Sequence, residues 1–368
     1  MKYMDEFRDG RLARKLLREI AGLATGRVRI MEICGGHTHV IFKYGLDKVM
    51  PPAIELIHGP GCPVCVTPLE RVDQAIELAR LDNVMLATFA DMIRVPGSRS
   101  SLQQEAARGA DIRMVYSSLD ALQLARAHPE REVVFFAIGF ETTAPTNAMA
   151  VLLAQQQGLR NFSVFSNHVT VPPAVRAILD APDVQLDAFI APGHVSLVTG
   201  SDVYGFMARE YGKQVAVSGF EPLDILQSVA MILRQRRAGR AAVENQYTRA
   251  VSAAGNRKAQ AVIERVMLPC DFRWRGLGII PGSGLRLRPE FADFDAERRF
   301  ALGEPPELAD PKACECGQIL RGAKSPWDCR VFGKGCTPEN PIGSCMVSSE
   351  GACAAYYNYG RHQQRATS

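Results

Sequence analysis

The sequence lacks a strong charge of either sign, which limits the partners it can have. Its 368 residues include 43 lysines and arginines and 39 aspartates and glutamates, for a net charge of +4. The two signs are interspersed, and no long basic tail of the kind that binds nucleic acid is present. We therefore expect no nucleic-acid partner, and functional partners have to be inferred from individual sites.

Long apolar segments are also missing. No stretch of about 18 uninterrupted apolar residues occurs, so no transmembrane helix is predicted. The first 20 residues have an amphipathic helical pattern with acidic residues and no apolar signal-peptide core. We expect a cytoplasmic protein without a membrane partner, in a compartment where the ten cysteines serve as metal ligands or redox thiols rather than disulfides.

Three motifs of common cofactor sites are absent as well. The sequence contains neither the G-x-x-x-x-G-K-[ST] phosphate loop nor the G-x-G-x-x-G dinucleotide fingerprint. The C-x3-C-x2-C loop of radical enzymes is also missing. Nucleotide-driven chemistry and this type of radical chemistry are therefore not indicated.

Short β-branched and aromatic segments alternate with helical patterns over the first 220 residues. Helices are predicted over 69–81, 147–158 and 173–181. Strands are predicted near 28–33, 54–58, 83–89, 112–117, 132–138, 161–166, 187–191 and 214–218. This alternation indicates parallel sheets with helices on both faces. The eight strands fit one sheet or two sheets of four, and the long connection between Ser118 and Glu132 favours two.

We therefore predict two similar parallel-sheet α/β domains and a small irregular C-terminal domain. The predicted parts are an N-terminal helix (1–27), domain I (28–125), domain II (126–222), a helical connection (223–265) and the C-terminal domain (266–368). The last part is rich in glycine, proline and cysteine and lacks the periodicity of a large core. We expect something other than packing to hold it.

Polar or sulfur-bearing segments follow seven of the eight predicted strands. In chain order they contain Cys34 and His37, then "HGPGCPVC", "FADMIRVPGS", "GFETTAPT", "SNHVT", "APGHVS" and "SGFEP". Because the carboxyl ends of parallel strands share one edge of a sheet, we expect these loops to converge on one cleft or on the gap between two domains. Each loop taken singly is equally compatible with an ordinary turn.

Cys62 and Cys65 form a C-x-x-C pair. Thr67 and Glu70 have the spacing of a capping box, with Pro68 at the first helical position. This pattern places both thiols before a helix N-terminus, where partial positive charge favours the thiolate. Thiol–disulfide exchange is the favoured interpretation, and half of a zinc site or two buried small residues are the alternatives.

Six cysteines lie between residues 314 and 353. Four of them have the spacing C-x14-C-x6-C-x16-C, and these are Cys314, Cys329, Cys336 and Cys353. Cys316 and Cys345 are additional, and the spacing does not define their roles. Four thiolates bind either zinc or an iron–sulfur cubane. Zinc sites favour close C-x2-C pairs, which are absent here, so we favour a cluster, with zinc and metal-free thiols as alternatives.

Six longer segments together resemble the ordered motif set of the HypD family of hydrogenase maturation proteins. They are "EICGGHTH", "HGPGCPVC", "GFETTAPT", "APGHVS", "PCDFRWRGLGIIPGSG" and "FGKGCTPENPIGSCMVSSEGACAA". The resemblance extends from about Met31 to Tyr357 and implies two similar α/β domains and a third domain with a 4Fe-4S cluster. It also implies a scaffold that holds an iron ion together with the small chaperone HypC. Cyanide delivered by HypE and carbon monoxide are attached to this iron, and the Fe(CN)2CO unit then passes to the large subunit of a nickel–iron hydrogenase.

Given this resemblance, the residues after the first strand acquire specific roles. A low-spin ferrous ion with cyanide and carbonyl ligands favours soft thiolate donors, so Cys34 is the expected iron ligand. Gly35 and Gly36 would let the backbone approach and expose amides to cyanide nitrogen. His37 would ligate, donate a hydrogen bond or shuttle a proton. His39 is expected to have a supporting or structural role.

Other loops receive roles in the same cleft. Glu141, Thr142 and Thr143 would hydrogen-bond the iron-bound diatomic ligands or a docked partner, with helix capping as the alternative. His194 and Ser196 would line the cleft, with ordinary loop packing as the alternative.

The segment "PCDFRWRGLG" is expected to bridge the C-terminal domain and the α/β domains. Asp271, Arg273 and Trp274 would make this bridge, and Cys270 would be structural.

Two functions are compatible with these features. In the first, a redox-active scaffold assembles the iron fragment, and cluster electrons reach Cys62 and Cys65, which supply reducing equivalents at Cys34. In the second, a free-standing iron–sulfur thiol–disulfide oxidoreductase reduces other proteins. Cys34 distinguishes the two hypotheses, because the second has no use for it.

Overall fold

The structure is a computed structural model that describes residues 5–182, 185–303, 308 and 310–360. Residues 1–4 of the predicted N-terminal helix and 361–368 of the predicted C-terminal domain lie outside the described residues. The strands are β1 (Val28–Glu32), β2 (Ile54–His58), β3 (Val84–Thr88), β4 (Ile112–Met114), β5 (Glu132–Gly139), β6 (Phe162–Val169), β7 (Ala188–Pro192), β8 (Gln214–Ser218), β9 (Val243–Asn245), β10 (Met267–Trp274) and β11 (Gly278–Leu287).

Helices connect and cover these strands. The α-helices are α1 (Gly10–Leu23), α2 (Gly35–Lys43), α3 (Leu46–Val49), α4 (Pro63–Val66), α5 (Leu69–Ala79), α6 (Ala90–Ile93), α7 (Leu102–Ala107), α8 (Ser118–Ala127), α9 (Ala144–Gln156), α10 (Val171–Leu179), α11 (Gly193–Thr199), α12 (Gly205–Arg209), α13 (Pro222–Arg237), α14 (Arg257–Val266), α15 (Ala296–Arg299), α16 (Cys316–Leu320) and α17 (Ala352–Ala355). Short 3₁₀ helices cover Asp5–Phe7, Asp202–Tyr204, Pro289–Phe294, Pro326–Asp328 and Ser344–Met346, and a π-helical turn covers Tyr356–Gly360. Within the described ranges, no helix is long and apolar enough to span a membrane.

The strands form two sheets. The first has the order β2-β1-β7-β8-β9 and is parallel throughout. The second has the order β10-β11-β6-β5-β3-β4 and is parallel except for the β10–β11 hairpin, which pairs antiparallel with β6. All eight predicted strands are present, and the sequence analysis missed β9, β10 and β11.

Four strands of each sheet share one connectivity. In the first sheet, β1 and β7 are adjacent. The next strand in the chain after β1 is β2, which lies beside β1 on one side, and the next after β7 is β8, which lies beside β7 on the other side. The second sheet has the same arrangement. There β3 and β5 are adjacent, β4 lies beside β3, and β6 lies beside β5. The prediction of two α/β domains is confirmed, and they are similar in this topology.

The division of the chain differs from the predicted one. Since β1 and β2 pair with β7 and β8, the second domain is inserted within the first, and no boundary lies between residues 125 and 126. The connection between Ser118 and Glu132 contains α8, which belongs to the second domain. Local patterns reveal strands but not their partners, and for this reason the predicted boundaries of domains I and II need correction.

Two further predicted regions are corrected. In the helical connection at 223–265, α13 ends at Arg237, and β9 follows after Gly239, whose φ of +61° lies in the left-handed region. Residues 267–287 belong to the second sheet rather than to the C-terminal domain. Their glycines and prolines concealed the strand pattern.

The C-terminal segment packs into the common core. Ile319, Leu320, Met346 and Val347 are buried in the same hydrophobic cluster as residues from both sheets. Burial of apolar side chains thus holds this segment against the α/β domains, contrary to the expectation that packing would not suffice. The described residues from 310 onward form short helices and irregular structure.

Candidate functional site

A cleft of about 620 Å³ lies between the carboxyl ends of the two sheets. One side follows β1 and β7, and the other follows β3 and β5. In each sheet this is the point where successive connections leave in opposite directions, which is where open parallel sheets bind ligands. Residues 348–350 of the C-terminal segment complete the wall.

The predicted convergence of loops is confirmed for most of the strands. The segments after β1, β2, β3, β5 and β7 all line the cleft, together with the one after β4. The segment "SNHVT" was predicted to be a loop, but its first four residues continue β6 as far as Val169. His168 is fully buried there and contacts Asn147 and Ser166, and burial lowers its pKa to about 4. This histidine belongs to the core.

Cys34 lies on the cleft wall between β1 and α2. The side chain is largely buried, and the backbone carbonyl of Cys34 accepts the N–H of His37 at 2.9 Å. Burial, followed by the carboxylates of Glu350 and Glu32, raises the pKa of Cys34 above its usual value. Binding of a soft cation would deprotonate a thiol in this position.

Glu32, which the sequence analysis did not single out, holds the backbone at Cys34. Its Oε2 accepts the N–H of Cys34 at 2.9 Å. Its Oε1 accepts the Thr38 hydroxyl and lies 2.7 Å from His58 Nδ1. Glu32, Thr38 and His58 are all buried. The available sequence signal was an acidic residue that ends an apolar strand, two positions before the cysteine.

His37 and His194 both stack on Phe220. The ring centroids lie 4.7 Å apart for His37 and 3.7 Å apart for His194. His37 donates from Nε2 to the Ser218 carbonyl at 3.2 Å, and its buried Nδ1 has no partner within the described residues. Burial lowers the pKa of His37 to about 4, so its ring is neutral at pH 7. Of the two histidines, His194 is the one that lines the cleft.

Gly35 and Gly36 lie in close contact with neighbouring side chains. A Cβ at Gly35 would lie 2.5 Å from Cβ of Glu350, and a Cβ at Gly36 would lie 2.9 Å from the Phe220 ring. The N–H of Gly35 already donates to the Gly61 carbonyl at 3.0 Å. These glycines permit close packing around Cys34. The amide of Gly35 is occupied by the Gly61 carbonyl, so the predicted contact with cyanide stays a prediction for the amide of Gly36.

The segment after β5 is only partly exposed to the cleft. Thr142 and Thr143 line it, as predicted. Glu141 is buried beside it, and its Oε1 accepts the Val171 N–H at 3.0 Å. Its Oε2 is buried without a partner among the described residues, and burial raises the pKa of Glu141 to about 7. Ser196 is buried and donates to the Pro192 carbonyl at 2.7 Å, so ordinary loop packing accounts for it.

Cys62 and Cys65 lie at opposite ends of the first turn of α4. The Cys62 sulfur accepts the Cys65 N–H at 3.3 Å, and both residues are almost fully buried. Burial, followed by hydrogen bonds with Cys345 and Cys62, raises the pKa of Cys65 well above its usual value. The expected preference for thiolate therefore does not hold for Cys65, because burial outweighs the dipole of a four-residue helix.

The predicted capping box does not form. Thr67 follows α4 and donates its hydroxyl to the Pro63 carbonyl at 2.9 Å. The next helix, α5, begins at Leu69 with Pro68 as its cap residue and without a side-chain cap. The proline separates two helices instead of starting one.

Five cysteines line a small cavity in the C-terminal segment, which we term the cysteine cavity. They are Cys314, Cys316, Cys329, Cys336 and Cys353. The structure therefore brings the four predicted ligands together and adds Cys316. A Cβ at Gly343 would lie 2.4 Å from the Cys314 sulfur, so this wall requires glycine.

The donor set of this cavity has the soft thiols that an iron–sulfur cubane requires, since a cubane binds each of four cysteines to a separate iron.

Cys345 connects the cysteine cavity to the C-x-x-C pair. It is fully buried and within hydrogen-bonding reach of Cys316, Cys353 and Cys65, and these hydrogen bonds lower its pKa. A row of thiols thus runs from Cys62 through Cys65 and Cys345 to the cavity. Cysteine spacing could not reveal this row, because Cys65 and Cys345 are distant in sequence.

The segment "PCDFRWRGLG" forms β10 and the following turn. Trp274 is buried and donates to the Ser283 hydroxyl at 2.8 Å, and Arg273 lies 3.3 Å from Glu70. The N–H of Arg275 donates to the Val66 carbonyl at 2.8 Å. Contact with the C-terminal segment comes from the turn, where Arg275 pairs with Asp310 at 2.7 Å. The segment thus joins the two parts as predicted, but through Arg275 and Gly276. Asp271 accepts from Gly282 within the hairpin, and Cys270 is half-buried.

The geometry defines a two-domain α/β protein with a thiol on the wall of its interdomain cleft and a cysteine-rich segment behind it. The family model HypD, described as "Hydrogenase formation hypA family", matches residues 11–360. Hydrogenase maturation factor HypD of Azotobacter vinelandii is 57% identical over 99% of this chain and 98% of its own length. The HypD of Rhizobium leguminosarum bv. viciae is 54% identical over 99% and 97%, and that of Escherichia coli K12 is 47% identical over 100% of both. The chain belongs to the HypD family of hydrogenase maturation factors.

Proposed function

We propose that this chain is a redox-active scaffold for the maturation of a nickel–iron hydrogenase. With a HypC-like chaperone and HypE it would assemble the Fe(CN)2CO unit and pass it to the hydrogenase large subunit. The observation that carries this proposal is the position of Cys34, a thiol on the wall of a cleft at the switch point of the first sheet. The names of its relatives support the general role.

The iron fragment is the substrate of the cleft. Its low-spin ferrous ion would bind the Cys34 sulfur as thiolate, and the thiol proton would leave to water in the cleft. Glu32 keeps the backbone of Cys34 in place through its 2.9 Å hydrogen bond. Thr142, Thr143 and His194 line the same space and can donate hydrogen bonds to cyanide nitrogen.

The cleft mouth suits a protein partner. Met114 and Tyr116 line it, although they are 51% and 85% exposed. Exposed apolar side chains beside a polar cleft are typical of interaction sites, and aromatic residues are enriched in interfaces. We assign this rim to the HypC-like chaperone, which would cover the iron fragment.

The cysteine cavity would hold the 4Fe-4S cluster. Cys314, Cys329, Cys336 and Cys353 are the proposed ligands, and Cys316 is a further donor on the same wall. Bound there, such a cluster supplies one-electron redox chemistry.

The C-x-x-C pair is the second redox element of the proposal. Cys62 and Cys65 can store two electrons as thiols, because forming their disulfide releases two electrons and two protons. Cys345 lies between this pair and the cavity, which supports a redox link between them.

A free-standing thiol–disulfide oxidoreductase fits the structure less well. Such an enzyme needs an accessible thiolate that attacks a disulfide of another protein. Cys62 and Cys65 are 3% and 0% exposed, so neither sulfur reaches a protein substrate in this conformation. The burial of both thiols favours an internal redox role.

Infrared spectroscopy tests the proposal. The chain is produced anaerobically with a tagged HypC-like chaperone and HypE, and the complex is analysed for iron and for cyanide and carbonyl bands. We expect both types of band in the wild type, and their loss in Cys62→Ala. Cys270→Ala is the matched control, because this half-buried cysteine lies outside the cleft and the cavity, and it should keep the bands. A complex that contains all partners but shows no bands contradicts the scaffold proposal.

A further inference from the structure

Arg275 is a buried cation whose hydrogen bonds are incomplete. It lies in the turn between β10 and β11 and is 3% exposed. Its Nε pairs with the Asp310 carboxylate at 2.7 Å. Nη1 and Nη2 are buried and have no hydrogen-bond partner within the described part of the chain. The four N–H bonds of these two nitrogens, on a group that stays protonated, therefore lack acceptors.

The backbone places this guanidinium between two cysteine-bearing segments. The N–H of Arg275 donates to the carbonyl of Val66, the residue after the C-x-x-C pair. On the other side, Gly276 packs against Gly317, the residue after Cys316. A Cβ at Gly276 would lie 2.2 Å from the Gly317 Cα, and Gly276 has a φ of +74°. Both contacts fix the turn against the cysteine-rich region.

Sulfur atoms are the electrostatic neighbours of this group. Burial opposes the positive charge of Arg275, yet Asp310 and then Cys316, Cys314 and Cys345 raise its pKa above the usual value. Cys314 and Cys316 line the cysteine cavity, and Cys345 is the thiol that links the cavity to Cys65.

A buried guanidinium with unsatisfied donors is strongly destabilising unless an anion faces it. Asp310 accepts from Nε and leaves both Nη nitrogens unsatisfied. A cubane with four thiolate ligands is a suitable anion, because the thiolate charges exceed the positive charge of its core. Its sulfur atoms accept hydrogen bonds, and such bonds are known to tune the potential of a cluster.

We propose that Arg275 donates hydrogen bonds from Nη1 and Nη2 to sulfur atoms of the cluster held in the cysteine cavity and raises the reduction potential of that cluster. The inference rests on the proposed function, because it requires the cluster. Reduction adds negative charge, and a nearby fixed positive charge stabilises the reduced state more than the oxidised state. Arg275 would thereby favour the acceptance of an electron.

Three variants test this role. Arg275→Gln removes the charge and the paired N–H donors of the guanidinium, whereas Arg275→Lys keeps the charge and loses the paired donors. Arg330→Gln is the control, because Arg330 is exposed and directly follows Cys329, so solvent screens its charge. Each protein is prepared anaerobically, analysed for iron and sulfide, and titrated potentiometrically with detection by visible absorption and electron paramagnetic resonance.

We expect a lower midpoint potential for Arg275→Gln and a smaller shift in the same direction for Arg275→Lys. Arg275→Gln should also lose iron to a chelator about 10-fold faster, as is typical when a group that supports metal ligands is removed. Arg330→Gln should match the wild type in both measurements.

The outcomes separate this inference from the proposed function. If the wild type holds a cluster and both Arg275 variants keep its midpoint potential, Arg275 has no role at the cluster, while the cluster assignment stands. If Arg275→Gln does not fold, an unchanged potential in Arg275→Lys is sufficient to overturn the inference. A wild type without iron and sulfide overturns both proposals, because the acceptor for Arg275 would then be absent.

Discussion

Replacing Glu32 by alanine should destabilise the protein through the loss of one buried acceptor. Glu32 accepts the Cys34 N–H at 2.9 Å, the Thr38 hydroxyl and a hydrogen bond from His58 Nδ1 at 2.7 Å. Each buried donor left without an acceptor costs about 1–3 kcal/mol. Thr38 and His58 can relieve part of this cost by reorienting, but the backbone N–H of Cys34 cannot. We expect a loss of about 3–5 kcal/mol in the free energy of unfolding.

Chemical denaturation measures this loss, with Glu55→Ala as the matched control. Glu55 lies on the neighbouring strand β2, is partly exposed, and pairs with Arg27 at 2.6 Å. Removing such an exposed ion pair should cost less than about 1 kcal/mol. Glu32→Gln retains an acceptor and should fall between the two. If Glu32→Ala is no less stable than Glu55→Ala, Glu32 does not hold the Cys34 loop.

Three further outcomes follow from the packing, burial and thiol geometry. Gly343→Ala should lower the iron content, because its Cβ would lie 2.4 Å from the Cys314 sulfur. Gly335→Ala is the control and should keep the iron content, because the nearest atom to its Cβ would be 3.9 Å away. Burial lowers the pKa of His168 from 6.5 to about 4, so the unfolded chain takes up a proton first as the pH falls. His168 should therefore contribute a loss of about 3 kcal/mol between pH 6.5 and 4, so stability should fall less over this range in His168→Gln than in the wild type, and equal slopes in denaturation would contradict this. Alkylation with and without reductant should show a reversible two-hydrogen mass difference confined to the peptide of Cys62 and Cys65, and finding both permanently metal-bound would rule out the redox role.

Sequence patterns predicted the elements of the fold better than their arrangement. Runs such as β5 and β8 are apolar, β-branched and bounded by turn residues, so they are visible locally. The pairing of β1 with β7 joins residues about 160 positions apart, and no local pattern records it. Hairpin β10–β11 was missed because its glycines, prolines and bulge interrupt the alternation of a strand.

The candidate site shows the same division. Cys34, Thr142, Thr143 and His194 follow strands, so the rule for parallel sheets placed them in one cleft. Glu32 could not be inferred in this way, because its importance depends on partners that meet it only after folding.

Two other groups escaped sequence analysis for a related physical reason. Cys345 matters because it meets Cys65, which is 280 residues earlier in the chain. Arg275 is notable because its buried Nη1 and Nη2 have no hydrogen-bond partner among the described residues. The burial of a single arginine cannot be inferred from its neighbours in sequence. Long-range contacts therefore define the cysteine-rich part of this protein.

The most direct test of the central claim is the infrared spectrum of Cys34→Ser in complex with the HypC-like chaperone. The substitution changes one largely buried thiol to a hydroxyl and should leave the visible spectrum of the cluster and the overall fold intact. A protonated hydroxyl is a poor donor for low-spin ferrous iron, so the account predicts that the cyanide and carbonyl bands disappear while the chaperone still binds. Full bands together with normal hydrogenase maturation in Cys34→Ser would show that Cys34 is a structural turn residue and that the iron fragment binds elsewhere.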